Sequence, residues 1–388
     1  MTATPPIDLH QAGRVAAEAL RRSDHATARP LLERVVQAFP TDINGWFGLA
    51  IACRGLGDDP AQLAALDRVL AAKADHLLAL MMKADHFAKV GDDRAAEAFY
   101  RAVVAAGAAQ EPLTPEVRGE VQRAARLGQQ YGRAFEAHLQ DTLAKAGFDP
   151  ASSSRRFAQG VELLLGEKEI YYQAPAAFYF PELPLRQFYE RSEFAWLPAL
   201  EAQTDAILAE LQAILDDDEA FSPYVKTNAA RPPKEFGTLR DNPSWSAFHL
   251  IENGLVNEAG AARCPATMAA LREVPLSQSP GRTPSVMFSL LHPGTNIPPH
   301  NGLLNTRLIC HLPLITPDRC GLRVGNEARP WLKGQTLIFD DSIEHQAWNN
   351  GDQLRVVLLF DIWRPELTAE ERDLVSAMLS AVGDYGAD

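Results

Sequence analysis

The sequence predicts an α+β chain of two domains, an all-helical part over residues 1–150 and a β-rich part with flanking helices over residues 151–388. Three observations carry that prediction. The first hundred or so residues are rich in alanine and leucine and repeat with a period of 34. A turn-rich break, Gly147-Phe148-Asp149-Pro150-Ala151-Ser152-Ser153-Ser154, then interrupts the helical texture. From residue 286 onward short apolar runs follow one another, most of them bounded by Gly, Pro, Asn or Asp. Helices declare themselves by composition and spacing, short strands by the turn residues that bound them.

The N-terminal period aligns small and large residues at fixed places. Ala12, Trp46 and Leu80 fall together, as do Ala16, Ala50 and Ala84, and Ala19, Cys53 and Phe87. Leu32, Leu66 and Tyr100 align further along, followed by Val35, Val69 and Val103. Gly57 and Gly91 mark the turn between paired helices, and Pro40 closes the first unit. A helix–turn–helix unit of this length is the tetratricopeptide pattern. Three such units leave a concave face of the kind that binds a peptide or another protein. A further helix is expected over 115–146, carrying Val117, Val121, Ala125 and Leu127 as an apolar stripe, and an amphipathic segment over 156–165.

In the C-terminal part an aromatic, proline-broken stretch, from Tyr171-Tyr172 to Phe178-Tyr179-Phe180-Pro181 and Pro184, is expected to lie as irregular chain against a core. One helix is expected over 196–215 and another over 264–271, with Pro265 in its first turn. Runs at 286–291, 306–312, 321–324, 336–339 and 354–363 read as strands of an antiparallel sandwich or jelly roll. A helix over 368–382 closes the chain, with Thr368 and Glu371 as its capping box.

The totals narrow the function. At 388 residues the chain outgrows a single core, and 46% hydrophobic with 22% charged residues is an ordinary globular composition. A formal charge of −13 argues against a nucleic-acid backbone or an anionic membrane as partner. No apolar run is long enough for a membrane span, and residues 1–6 show neither the basic nor the apolar part of a secretory signal. The four cysteines, Cys53, Cys264, Cys310 and Cys320, lack Cys-x-x-Cys spacing, so reduced thiols in a cytoplasmic protein are expected, a Cys310–Cys320 disulfide being the alternative.

The chemistry gathers near the C-terminus. His10, His25, His76, His86 and His138 lie on or beside helices at no ligand spacing. His300 and His345 stand instead in expected turns between apolar strands, where imidazoles suit Fe(II), Zn(II) or another borderline metal. The carboxylate of a facial triad would fall two residues after the first histidine, and that residue is Gly302. Either two protein ligands suffice, or Asp340 or Asp341 supplies a third. Arg355 enters a buried strand and needs a partner. That partner is the carboxylate of an anionic co-substrate, or else Asp340, Asp341 or Asp361 in an ion pair. Ser289 and His311 lie on neighbouring strands, placed to contact the same anion or to serve as ordinary strand residues.

The runs His292-Pro293-Gly294-Thr295, Pro299-His300-x-Gly302-x-x-Asn305-x-Arg307-Leu308, His311-Leu312, Phe339-Asp340-Asp341-Ser342-x-Glu344-His345 and Asp361-x-Trp363-x-Pro365-Glu366-Leu367 resemble the aspartyl/asparaginyl β-hydroxylase family. That resemblance implies a double-stranded β-helix and a dioxygenase dependent on Fe(II), 2-oxoglutarate and O₂. By motif position it makes His300 and His345 the iron ligands and Ser289, His311 and Arg355 the 2-oxoglutarate contacts, with glycine expected at 302. It implies hydroxylation of an aspartyl or asparaginyl β-carbon in a peptide or protein recruited by the repeats, with lipid acyl chains or a small molecule as the alternative substrates. An inactive oxygenase fold serving as a scaffold is the remaining reading. One departure stands out: the family's frequent second arginine, in Leu-Arg-x-His, is Ile309 here.

Overall fold

The 34-residue period is built as helix pairs in a computed structural model, which describes residues 9–384 apart from 111, 218, 228–236 and 280. Residues 1–6, read above for a signal, lie outside that set. The pairs are α1 (Leu9–Arg21) with α2 (His25–Ala38), α3 (Ile43–Gly55) with α4 (Asp59–Ala72), and α5 (Leu77–Val90) with α6 (Asp93–Ala109). Each helix packs on the next in sequence, and α7 (Pro115–Lys145) follows on α6.

The repeat positions are the core positions. Ala16, Ala50 and Ala84 are each 0% exposed, because small residues let facing helices approach. Leu32, Leu66 and Tyr100 are buried beside Val35, Val69 and Val103. The register also sets the helix starts: Asp24, Asp58 and Asp92 each cap the second helix of a pair by accepting from the backbone N–H three residues on. Gly57 and Gly91 take φ of +73° and +78°, the left-handed turn that glycine enters at least cost.

The chain divides into two compact units, Met1–Ala158 and Gln159–Asp388, the division falling inside α8 (Arg155–Leu164). In the second unit β1 (Phe188–Tyr189) precedes α9 (Leu197–Glu201) and α10 (Thr204–Leu215). The single helix expected over 196–215 is therefore broken, since the Thr204 hydroxyl takes the Glu201 carbonyl that would continue it. Next come β2 (Ser222–Pro223), β3 (Trp245–Glu252), β4 (Leu255–Val256), α11 (Glu258–Arg263) and α12 (Pro265–Ala270). The strands β5 (Val286–Leu291), β6 (Thr295–His300), β7 (Arg307–Ile315), β8 (Cys320–Val324), β9 (Glu327–Pro330), β10 (Leu337–Phe339), β11 (His345–Asn349) and β12 (Arg355–Trp363) follow. Helix α13 (Ala369–Asp384) closes the described chain, and Thr368 and Glu371 exchange the hydrogen bonds of a capping box.

Two antiparallel sheets make the β-rich unit. One runs β1-β10-β7-β12-β5-β3-β2, with β4 beside β3, and the other β6-β11-β8-β9. Alternation splits the larger sheet between two cores. Phe248, Phe288, Leu290, Leu312, Leu358 and Phe360 face outward onto Leu200, Ile207 and Leu211 of the helices. Leu291, Ile309, Phe339 and Val357 face inward onto Ile297, Leu322, Val324 and Ala347 of the smaller sheet. Two facing sheets around one inner core are the double-stranded β-helix, or jelly roll.

Cys310 belongs to the outer core and Cys320 to the inner one, and all four cysteines are free, so the alternative disulfide is absent. The aromatic stretch 178–180 is fastened by Asn305, which accepts from the Phe180 N–H at 2.7 Å and donates to its carbonyl at 2.8 Å. That asparagine, prominent in the motif, does structural duty.

Candidate active site

His300 and His345 sit on strand ends rather than in the turns expected for them. His300 is the last residue of β6 and His345 the first of β11, and the two are direct cross-strand partners. Pro298 and Pro299 suggested a turn, but β6 is the edge of its sheet, where the missing proline N–H is tolerated. Cross-strand pairing brings the two imidazole centroids to 4.1 Å. Each Nδ1 meets a carbonyl two residues back, Pro298 O at 2.8 Å and Ile343 O at 3.1 Å. A carbonyl only accepts, so Nδ1 carries the proton and Nε2 keeps the lone pair in both neutral rings. Burial keeps them neutral: it lowers His300, and with His300 beside it His345 is pushed down to about 3. Two neutral imidazoles of one tautomer form a donor pair for a borderline metal ion.

The third triad position is filled through space. A Cβ on Gly302 would lie 2.0 Å from Asp341 Oδ2, so the Asp341 carboxyl occupies the room a side chain there would need. Asp341 Oδ2 accepts from Arg307 at 3.4 Å, while Oδ1 is buried without a hydrogen-bond partner among the described residues. Burial pushes this carboxyl up to about 7 against the pull of Arg307. No three His, Cys, Asp or Glu side chains among the described residues are grouped to hold a metal. Gly302→Ala should then cost about 1–3 kcal/mol of stability, because the displaced carboxyl is held by Arg307. Denaturant titration beside Asp341→Gly/Gly302→Ala, which empties the space first, checks this: equal stability of the single variant and wild type would refute it.

Arg355 opens β12 and is 1% exposed. Its Nη1 donates to the Ser289 carbonyl at 3.1 Å and reaches the Ser289 hydroxyl at 3.5 Å, while Nε is buried without a partner among the described residues. The aspartates offered as ion-pair partners are engaged elsewhere. Asp340 pairs with the buried Arg364 at 2.8 Å, and Asp361 and Asp341 pair with Arg307 at 3.0 and 3.4 Å. The ion-pair alternative for Arg355 is thereby overturned, and burial without a carboxylate pushes the guanidinium down to about 10. His311 lies opposite both Leu337 and Leu359 in register, buried, with Nδ1 unpartnered among the described residues. Its ring is edge-on to Phe339 at 5.1 Å, and Phe339 lies 5.6 Å from His345. Burial first, then the charge of Arg355 and the neighbouring His345, hold His311 well below the ordinary histidine range.

Ser289, His300, His311, His345 and Arg355 therefore share one interior. Phe339 links the histidine pair to His311, and Trp331 links His311 to Arg355, with centroids at 6.0 Å and the guanidinium 4.6 Å above the indole. Sequence reasoning did not name Phe339, Trp331 or Arg307 as site residues, and it offered Asp341 and Asp361 as a metal ligand or as partners of Arg355 rather than of Arg307. Alternation along β7 was the available signal, since it puts Arg307, Ile309 and His311 on one face. Ile309 packs into the inner core with Phe188 and Phe339.

A family model described as aspartyl/asparaginyl beta-hydroxylase matches residues 201–365. That stretch resembles the aspartyl/asparaginyl β-hydroxylase family and makes up less than half of the chain. All the site residues above fall within it. The aspartyl/asparaginyl beta-hydroxylase of Mus musculus is similar, at 35% identity over 186 residues, covering 47% of this chain and 25% of that protein. The ornithine lipid ester-linked acyl 2-hydroxylase of Rhizobium tropici is 34% identical over 180 residues, covering 46% of this chain and 60% of that one. The chain thus spans less than two thirds of either relative. Among solved structures, the TPR2B domain of yeast Sti1 in complex with pHsp70 is 18% identical with a TM-score of 0.27, covering 30% of this chain and 96% of that one. In sequence, the helix pairs precede the two-sheet β-helix that contains the matched stretch.

Proposed function

We propose that the chain is an Fe(II)- and 2-oxoglutarate-dependent dioxygenase that hydroxylates a C–H bond, the β-carbon of an aspartyl or asparaginyl residue in a peptide or protein. The observation that carries the reading is Arg355, a buried guanidinium without a carboxylate partner among the described residues, sharing an interior with a neutral histidine pair. Iron would be held by His300 and His345, whose Nδ1–H···O=C bonds turn both Nε2 lone pairs to that task. Iron and O₂ supply the oxidant that replaces a C–H hydrogen with hydroxyl, while 2-oxoglutarate leaves as succinate and CO₂.

The chain's own residues bind, orient and exclude water. Arg355 and the Ser289 hydroxyl take the distal carboxylate, a charge-assisted contact that fixes the co-substrate's direction. His311, neutral and unpartnered at Nδ1 among the described residues, faces the same interior and suits the other end of the anion. Phe339, Ile309, Leu322 and Val324 keep that interior apolar, where charge-assisted contacts gain strength. The repeats supply a surface for recruiting a protein substrate. No helix among the described residues is long and apolar enough to cross a membrane, and the four free cysteines suit a reducing, cytoplasmic setting.

A second substrate reading has its own observation. Arg307 is already compensated by Asp341 and Asp361, and the inward position at 309 is apolar, so a neutral group is favoured beside the histidine pair. An asparaginyl side chain satisfies that, and so does an acyl chain of the kind named in the Rhizobium relative. Succinate release by the iron-loaded chain, screened on aspartyl peptides, asparaginyl peptides and acyl lipids, tests both readings. Asparaginyl peptides are expected to exceed their aspartyl counterparts. Stimulation by acyl lipids alone transfers the assignment to lipid, and no succinate under any condition refutes the enzyme.

A further inference from the structure

A buried arginine without an acidic partner must be held by something else, because an unsupported charge in the interior is costly. Among the described residues Arg355 has two supports. One is Ser289, through its carbonyl and hydroxyl. The other is Trp331, which directly follows β9, is 3% exposed, and lies with its ring centroid 4.6 Å from the guanidinium carbon. The same ring stands 6.0 Å from His311. Resting on the reading of Arg355 as a 2-oxoglutarate anchor, we propose that Trp331 is a positioning residue for that anchor, its indole face standing in for the missing carboxylate.

The chemistry favours an aromatic face over an acid at this place. A cation over a π-system is attracted through the face of the guanidinium, while its hydrogen-bond donors lie in the plane. A protein carboxylate would occupy the in-plane donors and compete with the incoming dicarboxylate. An indole holds the charge and leaves those donors available, and Arg355 Nε is indeed unpartnered among the described residues. Ser289 engages one in-plane nitrogen and fixes rotation about the stack. The guanidinium is thus oriented before the anion arrives, which lowers the ordering cost of binding.

The plain alternative is that Trp331 only fills the inner core, where it packs near Leu322 and Val357. Shape and electrostatics can be separated. Tetrafluorotryptophan placed at position 331 keeps the size of the ring and its N–H but removes most of the negative charge of its face. Trp331→Phe keeps a weaker face, and Trp331→Leu keeps none. The full-length chain is loaded with Mn(II) in place of iron, and 2-oxoglutarate binding is measured by titration calorimetry, with metal content read in parallel.

Affinity is expected to fall roughly tenfold in Trp331→Leu, less in Trp331→Phe, and severalfold with the fluorinated ring, at unchanged metal content. In turnover with iron, the KM for 2-oxoglutarate should rise while kcat is largely kept. Unchanged affinity with tetrafluorotryptophan overturns the proposal, as does equal loss in the phenylalanine and leucine variants. If Trp331→Leu does not fold, the fluorinated chain decides alone. Should the wild-type chain bind Mn(II) but not 2-oxoglutarate, the co-substrate reading and this proposal fall together; a wild-type chain that binds normally while the variants do not differ refutes this proposal only.

Discussion

Replacing His345 with alanine is expected to strip the protein of iron and reduce succinate release to background, and His300→Ala should do the same. With two protein ligands, loss of either leaves one imidazole, and metal affinity should drop by more than about a hundredfold, beyond the effect of disturbing a ligand's supporting hydrogen bond. The fold should survive. The hydrogen bond that each imidazole gives to the carbonyl two residues back, at 2.8 and 3.1 Å, is worth about 1 kcal/mol net. In a unit of this size that corresponds to a shift of about 2–4 °C in Tm. Metal analysis of the purified variants, with thermal melts alongside, is the measurement. Near-normal iron in either variant would remove that histidine from the ligand set. A collapse of the melt would instead mark it as structural.

Much of this arrangement was legible in the sequence because it rests on local rules. The 34-residue register places Ala16, Ala50 and Ala84 where only small residues fit, and the structure leaves each fully buried. The strand 286–291 was bounded correctly because a run apolar but for Ser289, with Pro284 before it and His292-Pro293-Gly294 after it, leaves little choice. What local rules missed was set by pairing across the sheet. Pro298-Pro299 reads as a turn until the strand is known to be an edge. Trp245–Glu252 carries Ser246 and His249 within its apolar run, so neither alternation nor a clean hydrophobic block marked it as the strand beside β5.

The candidate site shows the same division. His300 and His345 stood out by their setting, but that they face one another is a fact of register. The fate of the acids was likewise invisible in sequence. Asp340 and Asp341 are neighbours in the chain yet have different partners, one sealed against Arg364 and the other filling the room beside Gly302. Only after those aspartates are assigned does Arg355 emerge without one.

Arg355→Met should weaken 2-oxoglutarate binding by about 2–5 kcal/mol, the cost of losing one member of a buried charge-assisted contact. Arg355→Lys should recover only part of this, because an ammonium lacks the planar fork that meets a carboxylate at two points. The apo protein should respond in the opposite sense. An arginine that is 1% exposed, with Nε unpartnered and no acid beside it among the described residues, is a local burden on stability. Methionine, which replaces the aliphatic stem without the charge, is therefore expected to raise the melting temperature of the ligand-free chain. The wild type should gain stability as 2-oxoglutarate is added, since a ligand that binds only the folded state stabilises it by an amount that grows with the logarithm of ligand concentration above Kd. The methionine variant should start higher and gain far less over the same concentrations. Melts of both proteins across a 2-oxoglutarate series therefore separate an anchor from a structural arginine. A variant that melts lower than wild type and still gains stability with ligand would show that Arg355 holds the fold and that the anion is bound elsewhere.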